Sequence, residues 1–404
     1  MRCATILAVL LVASWLAVLE PATARAASAV PAALTAPIAP AGQLPGPVTG
    51  CPAGQGAAAP TATPWAQRAL SFSSVWGLTE GAGVTVAVID SGVDANPQFG
   101  DRVTVGPDLS GVTGFPVGAD CVGHGTAVAS IIAAAPRAGV SFSGVAPRAQ
   151  ILSIKITNSE LAIPGGVTAT AIRDAVGLGA GVINLSLAGA DTPALRSAVQ
   201  FARARDVVLV AAAGNDGADS GKGPFYPAAY PGVLSVGAVA RDGSLASFSD
   251  TRTPVTVTAP GVGVASAYPG AYPDAYSLED NGTSFATAFV SGVAALVRAS
   301  HPNLRAAQVV ARIAATADGA AGPGTGHGMV NPVQAVTAVL PEDGAGAGAV
   351  AQHVPVSRPA PPETRTRTVA MAIAGGALVL VLVVIAAATV IPAARRRSRR
   401  ASGA

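Results

Sequence analysis

Three short strings carry side chains able to do chemistry together: Ala87-Val88-Ile89-Asp90-Ser91-Gly92, Gly123-His124-Gly125-Thr126 and Gly282-Thr283-Ser284-Phe285-Ala286. In chain order they offer a carboxylate, an imidazole and a hydroxyl. A serine hydroxyl is a weak nucleophile until a neighbouring base takes its proton, and an imidazole base works best when a carboxylate orients it. The order Asp…His…Ser is one of the few known to build that geometry. Asn215, after Gly214 and a long apolar run, adds a side-chain amide. With the Ser284 backbone N–H it could donate to the oxyanion of a tetrahedral intermediate. Singly, each residue has an ordinary explanation. Asp90 and Asn215 suit turns, His124 suits a loop, and Ser284 suits a helix N-cap. The weight lies in all four occurring in this order. The implied chemistry is acyl transfer, and it requires no cofactor.

Such groups need rigid mounts. Val84-Thr85-Val86-Ala87-Val88-Ile89 is β-branched and apolar throughout, so it reads as a buried strand with Asp90 at its carboxyl end. Val207-Val208-Leu209-Val210-Ala211-Ala212-Ala213 reads the same way and delivers Gly214-Asn215. His124 opens an Ala/Ile/Val-rich helix from Thr126 to Ala134. Ser284 opens a second helix, to Ser300, apolar on nearly every face and therefore buried. The remaining pattern alternates strands near 151–157, 181–187, 233–239 and 254–259 with helices near 167–178, 192–205 and 304–316. Continuous apolar strands alternating with helices imply an α/β fold, a doubly wound parallel sheet covered on both faces.

On these residues, about Trp65 to Ala338 resembles the subtilisin-like serine peptidases. More narrowly, Pro64-Trp65-Ala66-Gln67-Arg68, Asp120-Cys121-Val122-Gly123-His124-Gly125-Thr126 and the C-terminal apolar span resemble the mycosins, membrane-anchored subtilases of actinobacterial type VII secretion systems. The resemblance implies a triad of Asp90, His124 and Ser284, with Asn215 as oxyanion donor. Asn184-Leu185-Ser186-Leu187-Ala188-Gly189 resembles the family's substrate-pairing strand, so Ser186, Leu187 and Ala188, with Gly214, are implied to contact substrate. The implied partners are protein or peptide substrates and membrane-embedded type VII secretion components. Ala188 stands where the family usually has Gly, and Ala288 where its serine helix usually has Pro. The alternatives are a scaffold for the secretion complex with dispensable catalysis, and a general surface subtilase.

The chain ends supply a location. Residues 1–26 have the short basic start, apolar run and Ala24-Arg25-Ala26 ending of a secretory signal peptide. Residues 369–391 are uncharged and long enough to cross about 30 Å of hydrocarbon. Arg365 and Arg367 precede that span, whereas Arg395, Arg396, Arg397, Arg399 and Arg400 follow it. The positive-inside bias leaves the tail, 392–404, in the cytoplasm and the catalytic domain outside, a single-pass protein of the cell membrane. Without those five arginines the formal charge of +3 becomes −2, so no basic surface points to nucleic acid. Residues 27–63 form an Ala/Pro/Gly-rich extension, 64–339 the peptidase domain, and 340–368 a Pro-rich linker.

Cysteine usage agrees with that compartment. Of three cysteines, Cys3 leaves with the signal peptide. Cys51 and Cys121 remain, and an even pair in an oxidising compartment reads as a disulfide. A bridge would pin the extension beside His124, as in the mycosins. Neither cysteine has zinc-site spacing. Asn215-Asp216-Gly217-Ala218-Asp219-Ser220 is oxygen-rich but lacks an EF-hand pattern, so it reads as a solvated turn and no metal site is expected. His301 reads as a helix C-terminal residue, His327 as a turn residue and His353 as part of the linker.

Overall fold

The computed structural model describes Cys51 and residues 56–159, 165–217, 221–268, 275–319, 322 and 324–341. The signal peptide, most of the extension, nearly all of the linker, the membrane span and the basic tail lie outside the described residues.

Among the described residues, seven strands form one parallel sheet. They are β1 (Thr85–Asp90), β2 (Val103–Asp108), β3 (Gln150–Lys155), β4 (Val182–Leu185), β5 (Val208–Ala212), β6 (Leu234–Val239) and β7 (Val257–Pro260). Their order is β2-β3-β1-β4-β5-β6-β7, and every neighbouring pair is parallel. The helices are α1 (Trp65–Leu70), α2 (His124–Ala133), α3 (Gly165–Gly177), α4 (Pro193–Ala204), α5 (Thr283–Ser300), α6 (Ala306–Ala315) and α7 (Pro332–Thr337). Alternation along β1 fills two cores. Val86 and Val88 pack in one with residues of α2 and α5, whereas Ala87 and Ile89 pack in the other with residues of α3 and α4. This is the doubly wound parallel sheet that the apolar runs imply.

Local chemistry sets the element ends. Thr192 accepts the Leu195 N–H at 3.2 Å and Pro193 occupies the first turn, which starts α4. Asn331 and Pro332 start α7 in the same way, with the Gln334 N–H donating to Asn331 Oδ1 at 2.9 Å. The carboxyl end of α7 is held from outside. Arg312, fully buried on α6, donates through Nε to the Ala335 carbonyl at 2.5 Å and through its guanidinium to the Ala338 carbonyl. His301, at the end of α5, bonds through Nε2 to the Val336 carbonyl at 2.9 Å.

Two parts depart from the sequence reading. The edge strand β2 has no continuous apolar run, and Gly106-Pro107 interrupts it where its register against β3 shifts. A small antiparallel pair, β8 (Val264–Ala267) and β9 (Tyr276–Asp280), lies outside the main sheet. Residues 56–63, within the extension, pack on the domain. Ala57 and Tyr276 exchange both backbone hydrogen bonds, at 2.7 and 2.9 Å, and Ser141 bonds to the carbonyls of Pro60 and Thr61. Helix α5 is long and apolar enough to cross a bilayer, yet its window is 83% buried inside the domain, so it is the central core helix.

Candidate active site

Strand order switches around β1: from β1 the chain passes to the edge strand β2, returns through β3 beside β1, and then crosses to β4 and runs outward to β7. Such a switch opens a crevice at the carboxyl ends of the central strands. Asp90 is the last residue of β1, and Ser186 follows the end of β4. An open cleft of about 660 Å³ lies there, lined among others by Asp90, His124, Asn215 and Ser284. Ser186, Leu187, Ala188 and Gly214 line it too.

The pairing of acid and base is direct. Asp90 Oδ1 lies 2.8 Å from His124 Nδ1 and also accepts the Ser91 backbone N–H at 2.7 Å. Asp90 is 5% exposed and the His124 side chain 24%, so the carboxylate is buried while the imidazole reaches the cleft. With Nδ1 engaged, Nε2 is the ring nitrogen left for a reacting proton. The Phe285 ring lies 5.5 Å from the imidazole between centroids, beside Ser284 in the chain.

His124 is held by a network built on Asp120. Helix α2 starts at His124 itself, two residues before the reading from apolar pattern. Asp120 reaches across that first turn. Its carboxylate accepts the Gly123 N–H at 2.7 Å, the Thr126 N–H at 2.8 Å and the Thr126 hydroxyl at 2.7 Å. The Ser91 hydroxyl donates to Asp120 at 2.8 Å and accepts the Gly125 N–H at 2.9 Å, tying the end of β1 to α2. Asp94 joins the cluster by accepting the Asp120 N–H at 2.9 Å. Lys155, 1% exposed, donates to the Ala119 carbonyl. Burial pushes its ammonium down from the ordinary lysine value, opposed by the charges of Asp108, Asp120 and Asp94. Gly125 sits where α2 crosses the chain after β1. A Cβ there would stand 2.0 Å from the Gly92 carbonyl oxygen.

Ser284 lies in the first turn of α5, whose amides no helical carbonyl can reach. Its hydroxyl donates to the Ser186 carbonyl at 3.2 Å, and the Ser186 hydroxyl donates to the Ser284 carbonyl at 2.9 Å. Asn184, fully buried on β4, donates to the Ser186 hydroxyl at 2.9 Å and accepts from the Ser291 hydroxyl at 2.9 Å. Across the cleft, Asn215 Oδ1 accepts both the Thr283 N–H at 2.9 Å and the Thr283 hydroxyl at 2.7 Å. Fixing the amide oxygen fixes the direction of Nδ2 as well.

The apolar runs locate Asp90, His124, Asn215 and Ser284, but the residues that brace them escape that reading. Asp120 stands two and three residues before Val122 and Gly123, whose N–H groups it accepts, the spacing of a local side-chain turn. Ser91, Thr283, Asn184 and Ser291 leave no such trace, because their partners are distant in sequence. Cys51 and Cys121 are joined by a disulfide, with Cα atoms 4.9 Å apart. His327 and His301 lie away from the cleft lining. Ala218, Asp219 and Ser220 lie outside the described residues. Among the described residues, no group of three or more His, Cys, Asp or Glu side chains is placed to hold a metal ion.

The chain is similar to known proteins. The subtilase family model, Peptidase S8, matches residues 81–346. Mycosin-1 of Mycolicibacterium smegmatis is 34% identical over 333 residues, covering 69% of this chain and 74% of that protein. Subtilisin DY of Bacillus licheniformis is 40% identical over 240 residues, covering 59% of this chain and 85% of that protein. Among solved structures, MycP1 from Mycobacterium smegmatis superposes with a TM-score of 0.62 at 30% identity, covering 76% of this chain and 96% of that one. The MycP3 protease from the type VII (ESX-3) secretion system gives 0.59 at 33% identity, covering 74% and 97%.

Proposed function

Because the chain belongs to the subtilase family and is a subtilisin-like serine endopeptidase related to the mycosins, we propose that Asp90, His124 and Ser284 are its catalytic triad. The observation that carries this reading is the 2.8 Å contact between Asp90 Oδ1 and His124 Nδ1, in a cleft that Ser284 also lines. His124 Nε2 takes the proton of Ser284 Oγ as the oxygen attacks a peptide carbonyl, then gives it to the leaving amine. Asp90 holds the imidazole in the tautomer whose Nε2 is the proton acceptor, and stabilises the imidazolium. Asn215 Nδ2 and the Ser284 N–H receive the oxyanion, Thr283 having turned the amide for that purpose. Water then resolves the acyl-enzyme by the reverse proton path.

The setting is part of the same proposal. The catalytic domain works outside the cell membrane, tethered by residues 369–391, on protein substrates handled by a type VII secretion system. The support is the charge asymmetry around that span and the relation to MycP1 and MycP3. The test is a fluorophosphonate probe applied to membranes carrying the full-length protein. Wild type should label and hydrolyse peptides, and Ser284→Ala should do neither while melting within a few degrees of wild type. Labelling that survives Ser284→Ala would sink the assignment.

A further inference from the structure

The inner wall of the cleft carries a residue that neither the triad nor the oxyanion site explains. Strands β4 and β5 run side by side up to the pairing of Leu185 with Ala211. Beyond it one continues as Ser186-Leu187-Ala188 and the other as Ala212 to Asn215, and the space between them belongs to the cleft. Ser284 sits at its mouth, bonded both ways to Ser186. Attack requires the substrate carbonyl within about 3–3.5 Å of Ser284 Oγ. The recess beside Ser284 into which the side chain of the residue supplying that carbonyl can fit is the space between the two strand ends, lined by Ser186, Leu187, Ala188, Gly214 and Phe225.

Phe225 closes that space. A Cβ built on Gly214 would lie 2.5 Å from Phe225 Cδ2 and 3.0 Å from Cε2, so the ring is packed directly on the Gly214 backbone, whose φ is +113°. The ring is half-buried, with its remaining surface lining the cleft. Its backbone is held on both sides. The Phe225 N–H donates to Thr253 Oγ1 at 2.9 Å, and Thr253 is itself buried. Tyr226 and Gly189 exchange two backbone hydrogen bonds, at 2.8 and 2.9 Å. The ring thus occupies room that a bulky substrate side chain would need, and the exposed Ala188 adds a methyl group at the edge of the same cleft.

We propose that Phe225 restricts this peptidase to substrates carrying a small side chain, such as Ala or Ser, on the residue whose carbonyl Ser284 attacks. The inference rests on the triad reading above and adds the substrate class. It is tested with the full-length protein in detergent and a set of tetrapeptide para-nitroanilides differing only in the last residue, Ala, Leu or Phe. Wild type should show kcat/KM for the Ala peptide at least roughly tenfold above the Leu and Phe peptides. Phe225→Ala, and independently Phe225→Gly, should raise the Leu/Ala and Phe/Ala ratios by roughly tenfold or more. Fluorophosphonate labelling of each variant confirms that the site has folded. A wild-type preference for Leu or Phe would overturn the inference, as would unchanged ratios in variants that still label. Failure of both variants to label moves the decision to Phe225→Leu, which keeps an apolar side chain on Gly214 and for which unchanged ratios would likewise overturn it. Wild type that neither labels nor cleaves would overturn the triad reading, and this inference with it.

Discussion

Asn215 does two things with one carboxamide. Its oxygen is taken up by the N–H and hydroxyl of Thr283, which fixes the direction of its nitrogen. Asn215→Ala should lower kcat by ~10²–10³, a magnitude that comes from subtilisin, a relative of this chain, rather than from this geometry. Thr283→Val keeps the shape but removes the hydroxyl donor, so the amide gains freedom to turn. The expected loss is smaller, about tenfold, corresponding to one hydrogen bond. In both variants the fall should appear in kcat more than in KM, since the oxyanion exists only on the way to the transition state. Steady-state kinetics on one chromogenic peptide decides it; a loss confined to KM would remove Asn215 from the oxyanion role. At this scale the candidates Asp90, His124 and Ser284 stand out in the sequence because each ends a strand or begins a helix. Thr283 does not, because its task depends on Asn215, 68 residues earlier.

Helix α2 shows what patterning reveals about an element and where it stops. Its apolar run marks the helix, but the true start lies at His124, where Asp120 takes over the capping from outside the run. The same limit hid β2, whose Gly-Pro interruption breaks the apolar pattern, and β8 and β9, which lie apart from the main sheet. Two substitutions test how α2 is held. Gly125→Ala would set a methyl 2.0 Å from the Gly92 oxygen and 3.2 Å from Asp90 Cβ. The helix must then move off β1, and a displacement near 1 Å costs on the order of 10²-fold in rate. Full activity in that variant would show that α2 tolerates the shift. Asp120→Asn keeps the volume but withdraws a carboxylate from five donors and from the charge of Lys155, with an expected loss of about 2–4 kcal/mol. Chemical denaturation measures this, and an unchanged midpoint would mean the network is redundant.

Across the whole molecule, covalent closure complements the central sheet. The Cys51–Cys121 bridge spans 70 residues, and chain-entropy arguments allow it at most about 4 kcal/mol. Cys51→Ser with Cys121→Ser should therefore lower the melting temperature by several degrees, read by differential scanning calorimetry under identical conditions; equal melting would assign the bridge no share in stability. A parallel sheet covered on both faces follows from apolar strands alternating with helices, so that much of the architecture was legible, whereas the strand order was not. The packing of residues 56–63 on Tyr276 and Ser141 was not, because low-complexity composition carries no periodic signal. At the other end, the carbonyls of Ala335, Val336 and Ala338 are gripped by Arg312 and His301. Tension arriving along the chain beyond Leu340 reaches the domain through these grips before any strand feels it. In a force-extension measurement the first rip should therefore release α7 alone, a mechanical fuse that leaves the sheet and its cleft intact behind it.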